Sequence, residues 1–318
     1  MAMAFVFPGQ GSQSVGMLSE LAADEPLVRE TFDEASTGLD YDLWDLVSNG
    51  PEERLMKTEC TQPAMLAAGV AVWRVWRAKN GPAPSVMSGH SLGEYTALVC
   101  AKALDFVTAV SLVAYRGRMM QEAVPVGQGA MAAIIGLDDK LVERSCAEAA
   151  QGDVVEAVNY NAPGQVVIAG TVDAVERAVE AAKGRGARRA VMLPVTVPAH
   201  SSLMRGAAEK MRVRLEETEI RTPLIQEMYT VDVRKHGSPD DIRRALVKQL
   251  YSPVRWTDTV RAMVSQGVIR IVECGPGKIL TGLNRRVERR KQIHVFAIHD
   301  SDSIRATLED CRENAYAT

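Results

Sequence analysis

Short apolar runs alternate with longer helical patterns along most of the chain. The first run, Ala4 to Phe7, ends at a loop rich in glycine and glutamine, and a second, Ser85 to Met87, follows Pro82 and Pro84. Helical patterns dominate the stretch between these two runs. Strands that alternate with helices in this way predict an α/β fold with a mostly parallel sheet covered on both faces.

The stretch between Pro125 and Pro198 has a different pattern. It is bounded by proline and glycine and predicts, in order, a strand (Ala130 to Ile135), a helix (Asp138 to Ala150), a strand (Val154 to Asn159), a turn (Asn161 to Gly164), a strand (Val166 to Ala169), a helix (Val172 to Gly184) and a strand (Arg189 to Leu193). The order βαββαβ is typical of a ferredoxin-like fold. We therefore expect a discontinuous large domain, residues 1–125 and 198–318, with a small domain at 126–197 inserted into it. The last clear strand predicted in the large domain is Val268 to Val272.

Composition narrows the functional classes. With 40 acidic and 37 basic residues among 318, the formal net charge is -3, which provides no global field for binding nucleic acid or an anionic membrane. The five cysteines show no CxxC pair or zinc-type spacing, and no run approaches the roughly 20 apolar residues of a membrane span. The start also lacks a signal-peptide pattern. We expect a reduced, cytoplasmic protein without structural metal.

A candidate nucleophile lies in Gly89-His90-Ser91-Leu92-Gly93, which fits the G-x-S-x-G elbow between a predicted strand and a predicted helix. Flanking glycines allow the tight turn that projects the Ser91 hydroxyl, although an ordinary turn serine is the alternative. The following helix aims free N–H groups at the turn, so the Leu92 N–H is a candidate oxyanion donor.

A serine hydroxyl needs a base, and histidine is the usual one. His200 lies in a stretch stiffened by two prolines, whereas His90 is expected to point away from its neighbour Ser91. His294 and His299 keep a serine esterase open as an alternative, because α/β-hydrolases place their histidine late in the chain. Against the esterase, Asp300 follows His299, whereas the hydrolase order requires the acid first.

Arg116 is the most informative charge in the sequence. On the predicted helix from Phe106 to Glu122 its neighbours three and four residues away are apolar, whereas Arg118 has Glu122 four residues on. An arginine on an apolar face needs an anion. Either a protein carboxylate pairs with it, or its fork binds the carboxylate of a substrate.

The chain resembles the malonyl-CoA:acyl carrier protein transacylases over nearly its whole length. The matching motifs are Phe7-Pro8-Gly9-Gln10-Gly11-Ser12-Gln13, Thr61-Gln62-Pro63-Ala64, Gly89-His90-Ser91-Leu92-Gly93-Glu94-Tyr95, Arg116-Gly117-Arg118-Met119-Met120, Asn161-Ala162-Pro163-Gly164-Gln165, Pro198-Ala199-His200-Ser201 and Gly275-Pro276-Gly277-Lys278. The resemblance implies a hydrolase-like large domain and a ferredoxin-like small domain. The chain departs from it at Tyr229 and Thr230, where family members usually carry asparagine.

The resemblance also implies roles for site residues. Ser91 is then the nucleophile, His200 its base and Arg116 the clamp on the malonyl carboxylate, while Gln249 orients His200 through an oxygen. The N–H groups of Gln10 and Leu92 form the implied oxyanion hole. Four further candidate site residues are Gln62, Met120, Asn159 and Asn161.

The implied reaction is a ping-pong transfer of malonyl from coenzyme A to acyl carrier protein through a malonyl-serine ester. Coenzyme A thioester is a substrate, and no permanently bound cofactor is expected. Acyl carrier proteins are acidic, so two basic clusters are candidate docking patches on a protein expected to be a monomer: Lys183, Arg185, Arg188 and Arg189, and Arg285, Arg286, Arg289, Arg290 and Lys291. Malonyl and methylmalonyl differ by one methyl, worth about 1–3 kcal/mol, so a polyketide acyltransferase using another extender unit is a further alternative.

Overall fold

The structure is a computed structural model that describes residues 2–195 and 197–313. Met1, Thr196 and residues 314–318, which the predicted domain ranges include, lie outside the described residues. The strands in the described part are β1 (Ala2–Phe7), β2 (Val86–Gly89), β3 (Gly129–Ile135), β4 (Val155–Ala162), β5 (Gln165–Thr171), β6 (Arg189–Met192), β7 (Met228–Tyr229), β8 (Arg234–Lys235), β9 (Val268–Cys274) and β10 (His294–Ile298).

Helices make up most of the remaining regular structure. In the same residues these are α1 (Ser19–Asp24), α2 (Pro26–Ser36), α3 (Leu43–Asn49), α4 (Glu52–Leu55), α5 (Thr58–Ala78), α6 (Gly93–Cys100), α7 (Phe106–Glu122), α8 (Asp139–Ala150), α9 (Val172–Gly184), α10 (Arg205–Glu216), α11 (Pro239–Gln249), α12 (Trp256–Ser265), α13 (Ile279–Val287) and α14 (Ser301–Glu313). A short 3-10 helix, Ser202–Met204, precedes α10. No helix in the described residues is long and apolar enough to cross a membrane.

The larger sheet has the strand order β10-β9-β1-β2, and every pair in it is parallel. Alternate residues of β1 point to opposite faces. Phe5 packs against Trp73 and Trp76 of α5, while Val6 belongs to the core that contains Trp256 of α12. The predicted α/β fold with a mostly parallel sheet covered on both faces is therefore confirmed.

The sequence analysis missed one strand of this sheet. Val268 to Val272, the last clear strand in the sequence, is confirmed within β9, but β10 follows and pairs with β9 at the sheet edge. The strand is only partly buried, with His294 exposed and Ile298 fully buried. An edge strand of this kind lacks the continuous apolar run by which buried parallel strands are recognised.

The smaller sheet has the order β4-β5-β3-β6, and its strands are antiparallel. Helices α8 and α9 pack on one face and share a separate apolar core with β3 and β5. The element order between β3 and β6 is the predicted βαββαβ. The predicted turn at Asn161 to Gly164 is shorter than expected, because β4 continues through Ala162, which pairs with Gln165.

The two sheets meet beside the carboxyl ends of β1 and β2. Tyr160 N donates to Val254 O at 2.9 Å and Val254 N donates to Val158 O at 2.8 Å, which ties β4 to the segment before α12. The other face of the smaller sheet, with Met131 and Val167, is thereby turned toward the loops that follow β1 and β2.

Candidate active site

Ser91 lies at the turn between β2 and α6. Its φ of 54° is in the left-handed region, which a side chain adopts at a cost when the surrounding structure requires it. The turn is pressed against the end of β1: a Cβ on Gly93 would lie 2.1 Å from Phe7 O, and one on Gly89 would lie 1.8 Å from Gly93 C. Only glycine fits these two positions, so the local sequence dictates a tight elbow.

His200 contacts the candidate nucleophile. Its Nε2 lies 2.8 Å from Ser91 Oγ, and its Nδ1 lies 2.8 Å from the backbone oxygen of Gln249. Because a carbonyl only accepts hydrogen bonds, Nδ1 must carry the proton, which leaves the Nε2 lone pair facing Ser91. Burial, and then the Arg116 charge, lower the pKa of His200 to about 3. The ring is therefore neutral near pH 7 and able to accept a proton.

The two residues predicted to supply oxyanion donors lie at the same cavity. Gln10 follows β1 and Leu92 follows Ser91, and both residues line the cavity that contains the serine. Within residues 2–195 and 197–313, neither of these N–H groups donates to a protein acceptor. Parallel pairing of Phe7 with Gly89 brings the two loops to the same sheet edge. Both N–H groups therefore remain available for the oxyanion role predicted from the sequence.

Arg116 reaches the site from α7 and is 1% exposed. The three hydrogen-bond acceptors of its guanidinium are neutral: Gln62 Oε1 and Gln249 Oε1, each at 2.8 Å, and Ser91 Oγ at 3.2 Å. Its Nε–H has no hydrogen-bond partner among the described residues. Burial lowers the pKa of Arg116 from its usual value. The guanidinium is thus a buried cation surrounded by neutral acceptors and next to the Ser91 hydroxyl.

The side chain of Gln249 links Arg116 to the carboxylate of Glu94, to which the sequence analysis gave no role. Its Nε2 donates to Ser91 O at 2.8 Å and to Glu94 Oε2 at 2.6 Å. Glu94 is fully buried, and burial raises its pKa to about 7. The sequence feature that could have pointed to Glu94 is its position in α6, where every residue is buried and Glu94 is the one charged side chain.

A cavity of about 360 Å³ joins these groups. Of the predicted site residues, those that line it are Gln10, Gln62, Ser91, Leu92, Arg116, Met120, Asn159 and His200. Gln249 lies behind Arg116. Asn161 is not among the lining residues, and its Oδ1 lies 2.8 Å from His90 Nε2, away from Ser91. The histidine that contacts Ser91 is His200, whereas His294 is exposed on β10 and His299 contacts Asp300.

Known proteins are similar to this chain in sequence and fold. A model of the acyl transferase domain matches residues 4–298. The malonyl CoA-acyl carrier protein transacylase of Escherichia coli strain K12 is 55% identical over 306 residues, covering 96% of this chain and 98% of that protein. A malonyl-transacylase solved in complex with a type II polyketide synthase acyl-carrier protein is 54% identical, with a TM-score of 0.96, covering 98% of this chain and 100% of that chain.

A third comparison agrees. The malonyl CoA-acyl carrier protein transacylase of Coxiella burnetii is 48% identical, with a TM-score of 0.95, and 97% of each chain is covered. The family model spans most of the chain, and the similarity extends through both sheets and the loops that carry the site. The chain therefore belongs to the acyl transferase family, among the malonyl-CoA–acyl carrier protein transacylases.

Proposed function

We propose that this protein transfers a malonyl group from malonyl-CoA to the phosphopantetheine thiol of acyl carrier protein, supplying fatty acid chain elongation. The observation that carries the proposal is Arg116, a buried cation with neutral partners, 3.2 Å from Ser91 Oγ. A buried charge of this kind is costly unless an anion completes its environment. The carboxylate of a malonyl group on Ser91 is such an anion, and guanidinium matches its geometry.

The first half of the reaction acylates the serine. Ser91 Oγ attacks the thioester carbon as its proton passes to His200 Nε2, and the N–H groups of Gln10 and Leu92 hold the developing oxyanion. Collapse of the tetrahedral intermediate breaks the carbon–sulfur bond, and His200 returns the proton to the departing thiol of coenzyme A. The malonyl carboxylate takes the Arg116 donor that the resting serine hydroxyl occupies.

The second half reverses these steps with a different thiol. The phosphopantetheine thiol gives its proton to His200 and attacks the malonyl-serine ester. Collapse breaks the ester bond, and the proton returns to Ser91 Oγ. The group that orients His200 is a backbone carbonyl, Gln249 O. We therefore propose a catalytic pair, Ser91 and His200, without the carboxylate that a catalytic triad would add.

Intact-mass analysis after brief mixing with malonyl-CoA, acetyl-CoA or methylmalonyl-CoA tests the proposal. The wild type should gain a malonyl-sized adduct that disappears when phosphopantetheinylated acyl carrier protein is added, and Ser91→Ala should gain none. An adduct that water clears as quickly as acyl carrier protein would favour the esterase. Equal labelling by malonyl-CoA and acetyl-CoA would overturn the assignment of Arg116 as a carboxylate clamp.

The domain organisation is part of the proposal. We assign residues 1–125 and 198–318 to a hydrolase-like large domain and residues 126–197 to a ferredoxin-like small domain. The antiparallel strand order β4-β5-β3-β6, the helices on one face and the separate core support the small domain. The nucleophile at the carboxyl end of a parallel strand supports the hydrolase-like assignment.

An acidic carrier protein requires a basic surface, and the two candidate clusters adjoin each other. Arg189 and Gln165 both pair with Ile135, so they lie about 10 Å apart, two strand spacings. Arg286 from the second cluster donates to Gln165 Oε1 at 2.5 Å. We propose that the clusters form one docking surface, on which Arg188 and Arg289 are exposed.

Charge reversal tests this surface. Arg188→Glu and Arg289→Glu should raise the KM for acyl carrier protein, more so at low salt, because exposed charges steer association. Formation of the malonyl enzyme from malonyl-CoA serves as the internal control and should not change. An unchanged KM for the carrier protein in both variants would remove this patch from the proposal.

A second carrier class has one specific observation in its favour. A relative that is 54% identical was solved with a type II polyketide synthase acyl-carrier protein. Transfer rates to a fatty-acid carrier and to a polyketide carrier, measured on the same malonyl enzyme, separate the two roles. A faster rate with the polyketide carrier would place the protein in polyketide assembly.

A further inference from the structure

A single amide separates two buried, oppositely charged side chains beneath Ser91. Gln249 Oε1 accepts from Arg116 Nη2 at 2.8 Å, and Gln249 Nε2 donates to Glu94 Oε2 at 2.6 Å. Arg116, Gln249 and Glu94 are each no more than 1% exposed. Hydrogen bonds in such surroundings are stronger than in water, and a mismatched donor or acceptor is costly.

The second oxygen of the Glu94 carboxylate also accepts hydrogen bonds. Its Oε1 accepts from Thr230 N at 2.8 Å and from Thr230 Oγ1 at 2.7 Å. The backbone N–H can only donate, so whatever group stands at position 94 must present an acceptor to it. Thr230, at a position where the family usually carries asparagine, therefore directs two donors at this carboxylate, its backbone N–H and its hydroxyl.

We infer that Glu94 is a positioning residue for Arg116, and that it sets the preference for acyl groups that carry a carboxylate. The inference rests on the proposed function of Arg116. An ionised carboxylate accepts at both oxygens, so it satisfies Thr230 and the Gln249 amide together. With its NH₂ held by Glu94, Gln249 can only present its oxygen to the guanidinium.

A glutamine at position 94 cannot accept at both ends. If its oxygen faces Thr230 N, its NH₂ faces the NH₂ of Gln249, and the two donors repel. Relief requires the Gln249 amide to turn over, which breaks its bond to Ser91 O and presents its NH₂ to Arg116. The guanidinium then loses an acceptor on the side nearest the nucleophile and is displaced from the acyl carboxylate.

The charge of Glu94 by itself has the opposite effect on substrate binding. Removing a carboxylate near the site of a malonyl carboxylate would relieve repulsion and favour malonyl. The two roles therefore predict changes of opposite sign in the ratio of kcat/KM for malonyl-CoA to kcat/KM for acetyl-CoA. Acetyl carries no carboxylate, so its rate reports on the remainder of the machinery.

The experiment measures this ratio for the wild type, Glu94→Gln and Glu94→Asp at about pH 8, above the pKa of about 7 for Glu94. We expect the ratio to fall at least tenfold in Glu94→Gln. It should also fall in Glu94→Asp, which keeps the charge but is about 1.5 Å shorter and cannot reach both partners. Glu94→Asp keeps the test available should Glu94→Gln not fold.

Glu273→Gln is the matched control. Glu273 is also fully buried, and its oxygens accept from Leu280 N at 3.0 Å and Thr281 N at 2.6 Å, outside the cavity. Its loss should lower the thermal midpoint without changing the malonyl to acetyl ratio. If Glu273→Gln lowers that ratio as much as Glu94→Gln does, the effect reflects general destabilisation and the inference fails.

Failure of the inference differs from failure of the proposed function. A wild type that shows no preference for malonyl over acetyl would refute the clamp itself. A wild type with that preference, together with an unchanged or raised ratio in both Glu94 variants, would leave the clamp intact and refute the positioning role.

Discussion

Replacing Arg116 with alanine is the most direct test of how this site selects its acyl group. The guanidinium offers donors on Nε, Nη1 and Nη2, and two of them can grip a carboxylate in parallel. Charge-assisted hydrogen bonds are worth roughly 1.5–3 kcal/mol each, so two contribute about 3–6 kcal/mol. In the resting site Arg116 Nη2 already donates to Ser91 Oγ, at 3.2 Å, so the net gain lies toward the lower end.

The expected result for Arg116→Ala is a fall of roughly 10²-fold in kcat/KM for malonyl-CoA, with a much smaller change for acetyl-CoA. Initial rates of acyl-enzyme formation, followed by intact mass, provide both values. Arg116→Lys retains the charge without the fork and should recover part of the loss, because ammonium cannot bind a carboxylate bidentately.

Arg118→Ala is the control on the same helix. Arg118 is exposed two residues further along α7 and should leave both rates unchanged. Arg116→Ala also strands the oxygens of Gln62 and Gln249, so its thermal stability must be recorded alongside the kinetics. An equal loss with malonyl-CoA and acetyl-CoA would refute the carboxylate clamp and leave Arg116 a purely structural residue.

Three further predictions concern the base, the elbow and the buried carboxylate. The pKa of about 3 for His200 predicts that its imidazole NMR signals stay at the neutral position between about pH 8 and pH 5; a midpoint near 6.5 would contradict this. Gly93→Ala should lower the thermal midpoint and activity because its Cβ would lie 2.1 Å from Phe7 O, whereas Gly206→Ala, with open space, should be neutral or stabilising by up to about 1 kcal/mol. Burial raises the pKa of Glu94 from 4.5 to about 7, so the folded protein binds more protons than the unfolded chain in that window and this group lowers the free energy of unfolding as pH rises. The difference in free energy of unfolding between Glu94→Gln and the wild type, measured by denaturant unfolding, should therefore rise by roughly 3 kcal/mol in favour of Glu94→Gln between about pH 4 and pH 8. Plots of unfolding free energy against pH that run parallel for the two proteins would contradict ionisation of a buried Glu94.

The fold class and the tight turn at Ser91 follow from local patterns in the sequence. Phe5 and Val6 of β1 are buried on opposite faces of the sheet. At Gly89 and Gly93 a side chain would collide with residues close to Ser91 or with the end of β1. The apolar face of α7 likewise predicts that Arg116 is buried while Arg118 is not. Short-range periodicity and turn chemistry carry this information because each depends on residues that are close along the chain.

Other features depend on chain segments that are distant in sequence. His200 is 109 residues from Ser91 and Gln249 is 133 from Arg116, so their contacts arise only when separate elements meet. The edge strand β10 has too little apolar character to be recognised without its partner β9.

Glu94 shows the same division within one short motif. Its place after the elbow is visible in the sequence, but its link to Arg116 exists only because α6, α7 and α11 meet at the buried amide of Gln249. The sequence by itself thus determined the α/β fold class, the tight turn at Ser91 and the burial of Arg116, since local sterics and periodicity encode them. Tertiary packing brings His200 to the serine and decides which way the Gln249 amide points, because those hydrogen bonds join residues that no local pattern connects. For His200 the residues left other histidines open, and only the family resemblance selected it.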